Sequence, residues 1–140
     1  MIHTDCLNNR YMVLDTSAII AILQNEPGSD RLVESMEKAG VLRISAASVV
    51  EAGIVMFSRF GDAGEIEVDQ FIHRLGVSVI PVTELHAEQA RTAYRRYGKG
   101  HHPARLNYGD CFSYAIAVSL QEPLLFTGED FAKTDVRTVL

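Results

Sequence analysis

The sequence predicts an α/β domain in which a central parallel sheet of four to five strands is flanked by helices. Three observations lead there. Short apolar, β-like runs alternate with longer segments of helical periodicity, a pattern that buries parallel strands between helical layers. Glycine or proline stands at most of the junctions, where the chain must turn. With 140 residues and 47% hydrophobic content, the chain is long enough for one domain with a continuous core.

Taken in order, Tyr11–Leu14 reads as a first strand. Residues 16–24 read as a helix broken by Pro27-Gly28, and Pro27 also suits the first turn of the next helix, 29–39, which ends at Gly40. Residues 41–44 form a second strand. Helices follow over 46–60, ending at Gly61, and over 64–75, ending at Gly76. Residues 77–80 are a third strand closed by Pro81. A long helix over 84–97 stops at Gly98, and 99–106 is a loop. Residues 107–120 are helical, 124–126 form a fourth strand, 129–133 a helical turn, and 136–139 a last edge strand. The domain thus spans 11–140, behind a polar leader, residues 1–10, expected to be disordered.

Composition narrows the class. A charged fraction of 22% is that of an ordinary globular chain. No apolar run approaches the ~20 residues that span a bilayer, and the polar start has no apolar signal-peptide core. The two cysteines, Cys6 and Cys111, have neither the paired spacing of a metal site nor the number of a disulfide framework, so a reducing cytoplasm is expected. The net charge of −5 weighs mildly against a nucleic-acid binder, although local charge matters more than the total.

Four acids stand out. Asp15 ends the first strand, Glu51 lies in the helix after the second, Asp110 opens the helix that feeds the fourth, and Asp130 follows the fourth. Ligands of open parallel sheets sit at the carboxyl ends of the strands, and there these acids converge. Carboxylates that crowd one another raise each other's pKa; a divalent cation with oxygen ligands removes that cost and positions water against a phosphate. Each acid alone has a simpler explanation as a helix cap. Asp15 suits an N-cap, Ser48-x-x-Glu51 a capping box, and Asn107-x-x-Asp110 and Thr127-x-x-Asp130 looser versions of one. Caps alone, however, do not require acids at successive strand ends on one edge.

The motifs Val13-Leu-Asp-Thr-Ser-Ala18, Ser48-Val-Val-Glu-Ala52, Asn107-Tyr-Gly-Asp-Cys-Phe-Ser-Tyr-Ala115 and Leu124-Leu-Phe-Thr-Gly-Glu-Asp-Phe131 resemble, in order and spacing, the four acidic motifs of PIN domains. The likeness is closest to the VapC toxins of VapBC toxin–antitoxin systems, and it runs from about Tyr11 to Leu140. The resemblance implies a PIN-like fold and a metal-dependent endoribonuclease that cleaves RNA by metal-activated water. The products would be a 5′-phosphate and a 3′-hydroxyl. It implies Asp15, Glu51, Asp110 and Asp130 as catalytic ligands of Mg²⁺ or Mn²⁺, with Glu129 a rival for the fourth place and Ser17 and Thr127 in support. It further implies a homodimer and a VapB-type antitoxin as partner. The leader before Tyr11 departs from the many members that begin at the first strand.

Between Glu88 and Asp110 the chain has no acid but carries Arg91, Arg95, Arg96, Lys99 and Arg105, interleaved with Tyr94, Tyr97 and Tyr108. This is a candidate RNA-binding segment, or simply a solvated helix face; Tyr94 is expected to pack rather than stack. His101-His102 could suggest a metal, but the reading favoured is an exposed loop. The apolar stretches 18–23 and 49–57 are candidates for the antitoxin surface or for core and dimer interface. Two rival functions are weighed. An aspartyl phosphatase would need an acid at position 17, where Ser17 stands. A non-catalytic PIN-like nucleic-acid-binding module would not need all four acids.

Overall fold

The computed structural model describes residues 11–140, so the leader and Cys6 lie outside the described residues. Four strands, β1 (Tyr11–Leu14), β2 (Val41–Ser45), β3 (Ser78–Ile80) and β4 (Leu124–Leu125), form one sheet in the order β3-β2-β1-β4. Every pairing is parallel; Val13 pairs with both Arg43 and Leu124. β1 is therefore central, with a neighbour on each side, and its apolar run Met12-Val-Leu14 is buried, as expected of a strand covered on both faces.

The pleat sends alternate side chains to opposite layers. Val13 and Leu124 join a core built with Ala90, Ala93 and Tyr97 of α5 (Glu84–Tyr97) and Tyr114 and Ile116 of α6 (Tyr108–Leu120). Met12, Leu14 and Leu125 join the opposite core. That one is built with α1 (Thr16–Leu23) and α2 (Ser29–Lys38). A third cluster joins α1 to α3 (Ala46–Phe60) and α4 (Asp62–Arg74) through Ile20, Ala52, Met56 and Val68.

Four local expectations change. Pro27 precedes α2 rather than opening it: the helix starts at Ser29, behind Gly28 in the left-handed region at φ +89°. The capping box expected at Ser48 does not form. Ser45, at the end of β2, caps α3 by accepting from the Ala47 N–H, which leaves Ser48 inside the first turn. Residues 136–139 make only a single parallel bridge, Leu124 to Thr138, rather than a strand. Val136 is held instead by burial in the core and by its N–H donated to the Thr134 hydroxyl. The expected turn at 129–133 shortens to a 3-10 turn, Phe131–Lys133.

Ile116 lies in the layer that carries α6 and is 1% exposed. Ile116→Ala should cost about 2–5 kcal/mol in urea unfolding; a cost below about 1 kcal/mol would show that α6 is not packed as described.

Candidate active site

Asp15 is placed by the end of the central strand. Its N–H completes the β1–β4 ladder by donating to the Leu125 carbonyl at 3.0 Å. Its side chain then caps α1, with Oδ2 accepting the Ser17 N–H at 3.0 Å. The residue is only 2% exposed, so its charge needs partners. Besides that N–H it takes the Ser113 hydroxyl, which donates to Oδ1 at 2.6 Å. Ser113 is fully buried on α6 and also shares a 3.2 Å hydrogen bond with Ser48.

Asp110 sits in the first turn of α6, which runs antiparallel to the strands and so begins at their carboxyl edge. The capping box expected there forms in both directions. The Asp110 N–H donates to Asn107 Oδ1 at 2.9 Å, and Asp110 Oδ2 accepts the Asn107 N–H at 3.0 Å. Cap and site are therefore not alternatives here, since one carboxylate oxygen caps and the other has no hydrogen bond among the described residues.

Glu51 reaches the same edge from α3. Its carboxyl group lies directly over Gly109: a Cβ on that glycine would stand 2.6 Å from Glu51 Cδ and 2.7 Å from Oε1. A side chain at 109 would push the Glu51 carboxyl group out of this position. With Ser45 as the cap of α3, Glu51 has no capping duty.

The fourth motif is turned by Gly128, at φ +86°. Glu129 and Asp130 are both exposed, and Asp130 makes no side-chain cap bond. Thr127 is tied to the first motif by its N–H, donated to Ser17 Oγ at 3.1 Å. Ser17 and Thr127 thus connect two motifs of the site.

The electrostatics agree with one acidic neighbourhood. Burial pushes Asp110 up to about 7; the Asn107 N–H opposes this, while Asp15, Glu51 and Asp130 push further in the same direction. Glu129 is not among the groups that act on it. Glu51 is also raised, first by burial and then by Asp15, against the lowering effect of the Thr16 hydroxyl. Among the described residues no three His, Cys, Asp or Glu side chains stand as a ready-made metal cage. Mg²⁺ does not require one, because it takes one or two protein carboxylates and keeps several waters. The donors here are all hard oxygens, and two acids carry repulsion that a divalent cation would relieve. The residues present fit that ion.

The basic segment divides in three. Arg91, Arg95 and Lys99 border a single cleft between α5 and α6. Arg96 is paired with Asp135 at 3.7 Å and lies over the Tyr97 ring. Arg105 borders a separate, shallow depression with the His101-His102 loop. His101 hydrogen-bonds the Tyr94 carbonyl, and His102 Nδ1 accepts the Ala104 N–H; both histidines shape the loop rather than face each other across a metal. Cys111 is a buried free thiol that donates to the Asn107 carbonyl.

A PIN domain match covers residues 12–137. The chain is 48% identical over 128 residues to ribonuclease VapC30 of Mycobacterium tuberculosis, covering 91% of this chain and 98% of that protein. The chain belongs to the PIN-domain family of VapC ribonucleases. The fold is also that of solved VapC structures. The M. tuberculosis toxin VapC20, described as cleaving the sarcin–ricin loop, aligns with a TM-score of 0.74 at 18% identity, over 89% of this chain and 95% of that one. A toxin–antitoxin complex from Klebsiella pneumoniae aligns at 0.67 and 17%, over 92% and 98%.

Gly109 and Ser113 are the site residues that sequence reasoning missed. Gly109→Ala should lower the rate of RNA cleavage about 100-fold by displacing Glu51, although alanine is the better helix former. An unchanged rate would show that Glu51 need not lie there. A second prediction concerns pH. The unfolded chain releases the Asp110 proton near 3.8 and the folded chain near 7, so metal-free protein should lose stability as pH rises between those values. Asp110→Asn keeps the cap and should flatten that slope in thermal melts; an equal slope in the variant would remove Asp110 as its source.

Proposed function

We propose that this VapC-family ribonuclease is an Mg²⁺-dependent endoribonuclease toxin, with Mn²⁺ able to substitute, and that a VapB-type antitoxin neutralises it. The observation that carries the reading is the gathering of acids at one sheet edge: Asp110 and Glu51 are raised first by burial and then by neighbouring acids, which for Asp110 are Asp15, Glu51 and Asp130.

Asp15, Glu51, Asp110 and Asp130 would hold the cation. A bound Mg²⁺ would supply a Lewis acid that lowers the pKa of the attacking water and offsets phosphate charge. Asp15 is fixed in place by the Ser113 hydroxyl and the Ser17 N–H. Asp110 keeps one carboxylate oxygen outside its capping bond, and Glu51 lies across the α6 N-terminus over Gly109. In the cleavage the water oxygen bonds to phosphorus and the bond to the 3′ oxygen breaks. That oxygen takes up a proton, leaving a 3′-hydroxyl and a 5′-phosphate. Arg91, Arg95 and Lys99, and more distantly Arg96 and Arg105, supply positive charge for the RNA backbone.

The antitoxin reading rests on an exposed apolar stripe of α3, in which Val50, Ile54 and Phe57 are 60%, 60% and 50% exposed. The other candidate stretch does not serve, because residues 18–21 are core. One of the structurally similar proteins is itself described as a toxin–antitoxin complex. A homodimer belongs to the same reading. No described helix is long and apolar enough to cross a membrane, and we place the toxin with its RNA in the cytoplasm.

Purified, antitoxin-free protein incubated with total RNA should give discrete fragments in Mg²⁺ or Mn²⁺ and none in EDTA. Asp15→Ala should lower the rate at least 100-fold. Folded protein that binds RNA in Mg²⁺ without cutting it would favour the non-catalytic binding module instead.

A further inference from the structure

The cleft between α5 and α6 takes no part in the carboxylate centre. Its volume is about 670 Å³, within the range of pockets for small organic ligands. Its lining is mostly apolar and includes Tyr94, Tyr108 and Phe112, together with the three cations Arg91, Arg95 and Lys99. None of these three cations makes an ion pair among the described residues. Tyr108 is 80% exposed, yet its ring is not loose: it meets Phe112 edge to face, with centroids 4.9 Å apart.

Helix α6 joins this cleft to the acids. Its first turn separates two faces. Tyr108, Cys111 and Phe112 line the cleft, while Gly109 lies under Glu51 and Ser113 bonds Asp15. These are the i, i+3 and i+4 positions of two neighbouring stripes. The two stripes are offset by one residue, roughly 100° around the helix, so the cleft and the carboxylates occupy adjacent faces of the same turn.

We propose that this cleft is a subsite for one unpaired nucleotide next to the scissile phosphate, with its base stacked on Tyr108 and its phosphate on Arg91 and Lys99. The inference rests on the ribonuclease reading and adds to it the form of the substrate. Three unpaired cations beside an apolar lining complement a polyanion with flat rings. An exposed aromatic face stacks a base of any sequence. In an A-form duplex the bases are stacked on one another and cannot reach the ring, so the subsite selects loops, bulges and ends.

The test is binding in EDTA, where cleavage does not interfere. The probes are a fluorescein-labelled single-stranded RNA hexamer, the same hexamer with one abasic nucleotide, and an RNA duplex. Tyr108→Ala should weaken hexamer binding about tenfold and leave duplex binding unchanged, while Tyr108→Phe should bind as wild type. The abasic hexamer should bind wild type as weakly as the intact hexamer binds Tyr108→Ala. Arg91→Ala should reduce the dependence of log K on log salt by about 0.7, whereas Tyr108→Ala should not. Since Tyr108 is exposed, its replacement leaves the core intact, and circular dichroism checks this.

A wild type that cleaves RNA while Tyr108→Ala binds the hexamer normally would overturn the subsite alone. So would an equal loss on the duplex, or intact RNA binding with loss of self-association or antitoxin binding, which would make the cleft a protein interface. A wild type that neither binds the hexamer nor cleaves total RNA would overturn both readings.

Discussion

A buried carboxylate, Asp15, holds the functional end of this domain together. A charge that is 2% exposed is tolerated only with close hydrogen-bond partners, and the two it has come from different directions. The Ser17 N–H belongs to its own helix start, while the Ser113 hydroxyl comes from α6, 98 residues away. Satisfying Asp15 thus docks α6 onto the end of the central strand. The Ser17 hydroxyl extends the brace to the fourth motif through the Thr127 N–H. The positions of Asp110 and Asp130 depend on this arrangement, because Asp110 rides on α6 and Asp130 on the segment tied to Ser17.

Packing and charge oppose each other at this edge. Burial of the two cores draws α3 and α6 together until Glu51 rests against the backbone at Gly109. The approach leaves acids buried and close together: burial first, and neighbouring acids after it, raise Asp110 and Glu51. The hydrophobic effect is non-directional and scales with area, so it can hold like charges near one another and leave their relief to a cation.

Much of this could be read in the sequence. Periodicity located α3 and α5 to the residue, because glycines stop both helices and their apolar spacing is unbroken. The four acids and their shared edge followed from parallel topology, and the Asn107–Asp110 capping box from its local pattern. The failures have physical causes. Ser48 matched a capping-box pattern, but Ser45 ends the strand three residues earlier and starts the helix there, so the matching pair lies within the helix. Residues 136–139 have strand-like composition, yet β4 is only two residues long and offers one bridge. Gly109 and Ser113 gave no local signal, since a small residue is needed at each because of what a distant segment brings against it.

The two long-range bonds also set an order of assembly. Asp15 and Ser113 are separated by 98 residues, and Ser17 and Thr127 by 110. During synthesis a domain grows from its N-terminus, and contacts of such high sequence separation close late. No nascent chain shorter than 127 residues can possess both braces, and β4, which completes the sheet beside β1, ends only two residues before that. The acidic edge therefore exists only once β4 and the segment behind it have been made, long after the strand that leads into Asp15.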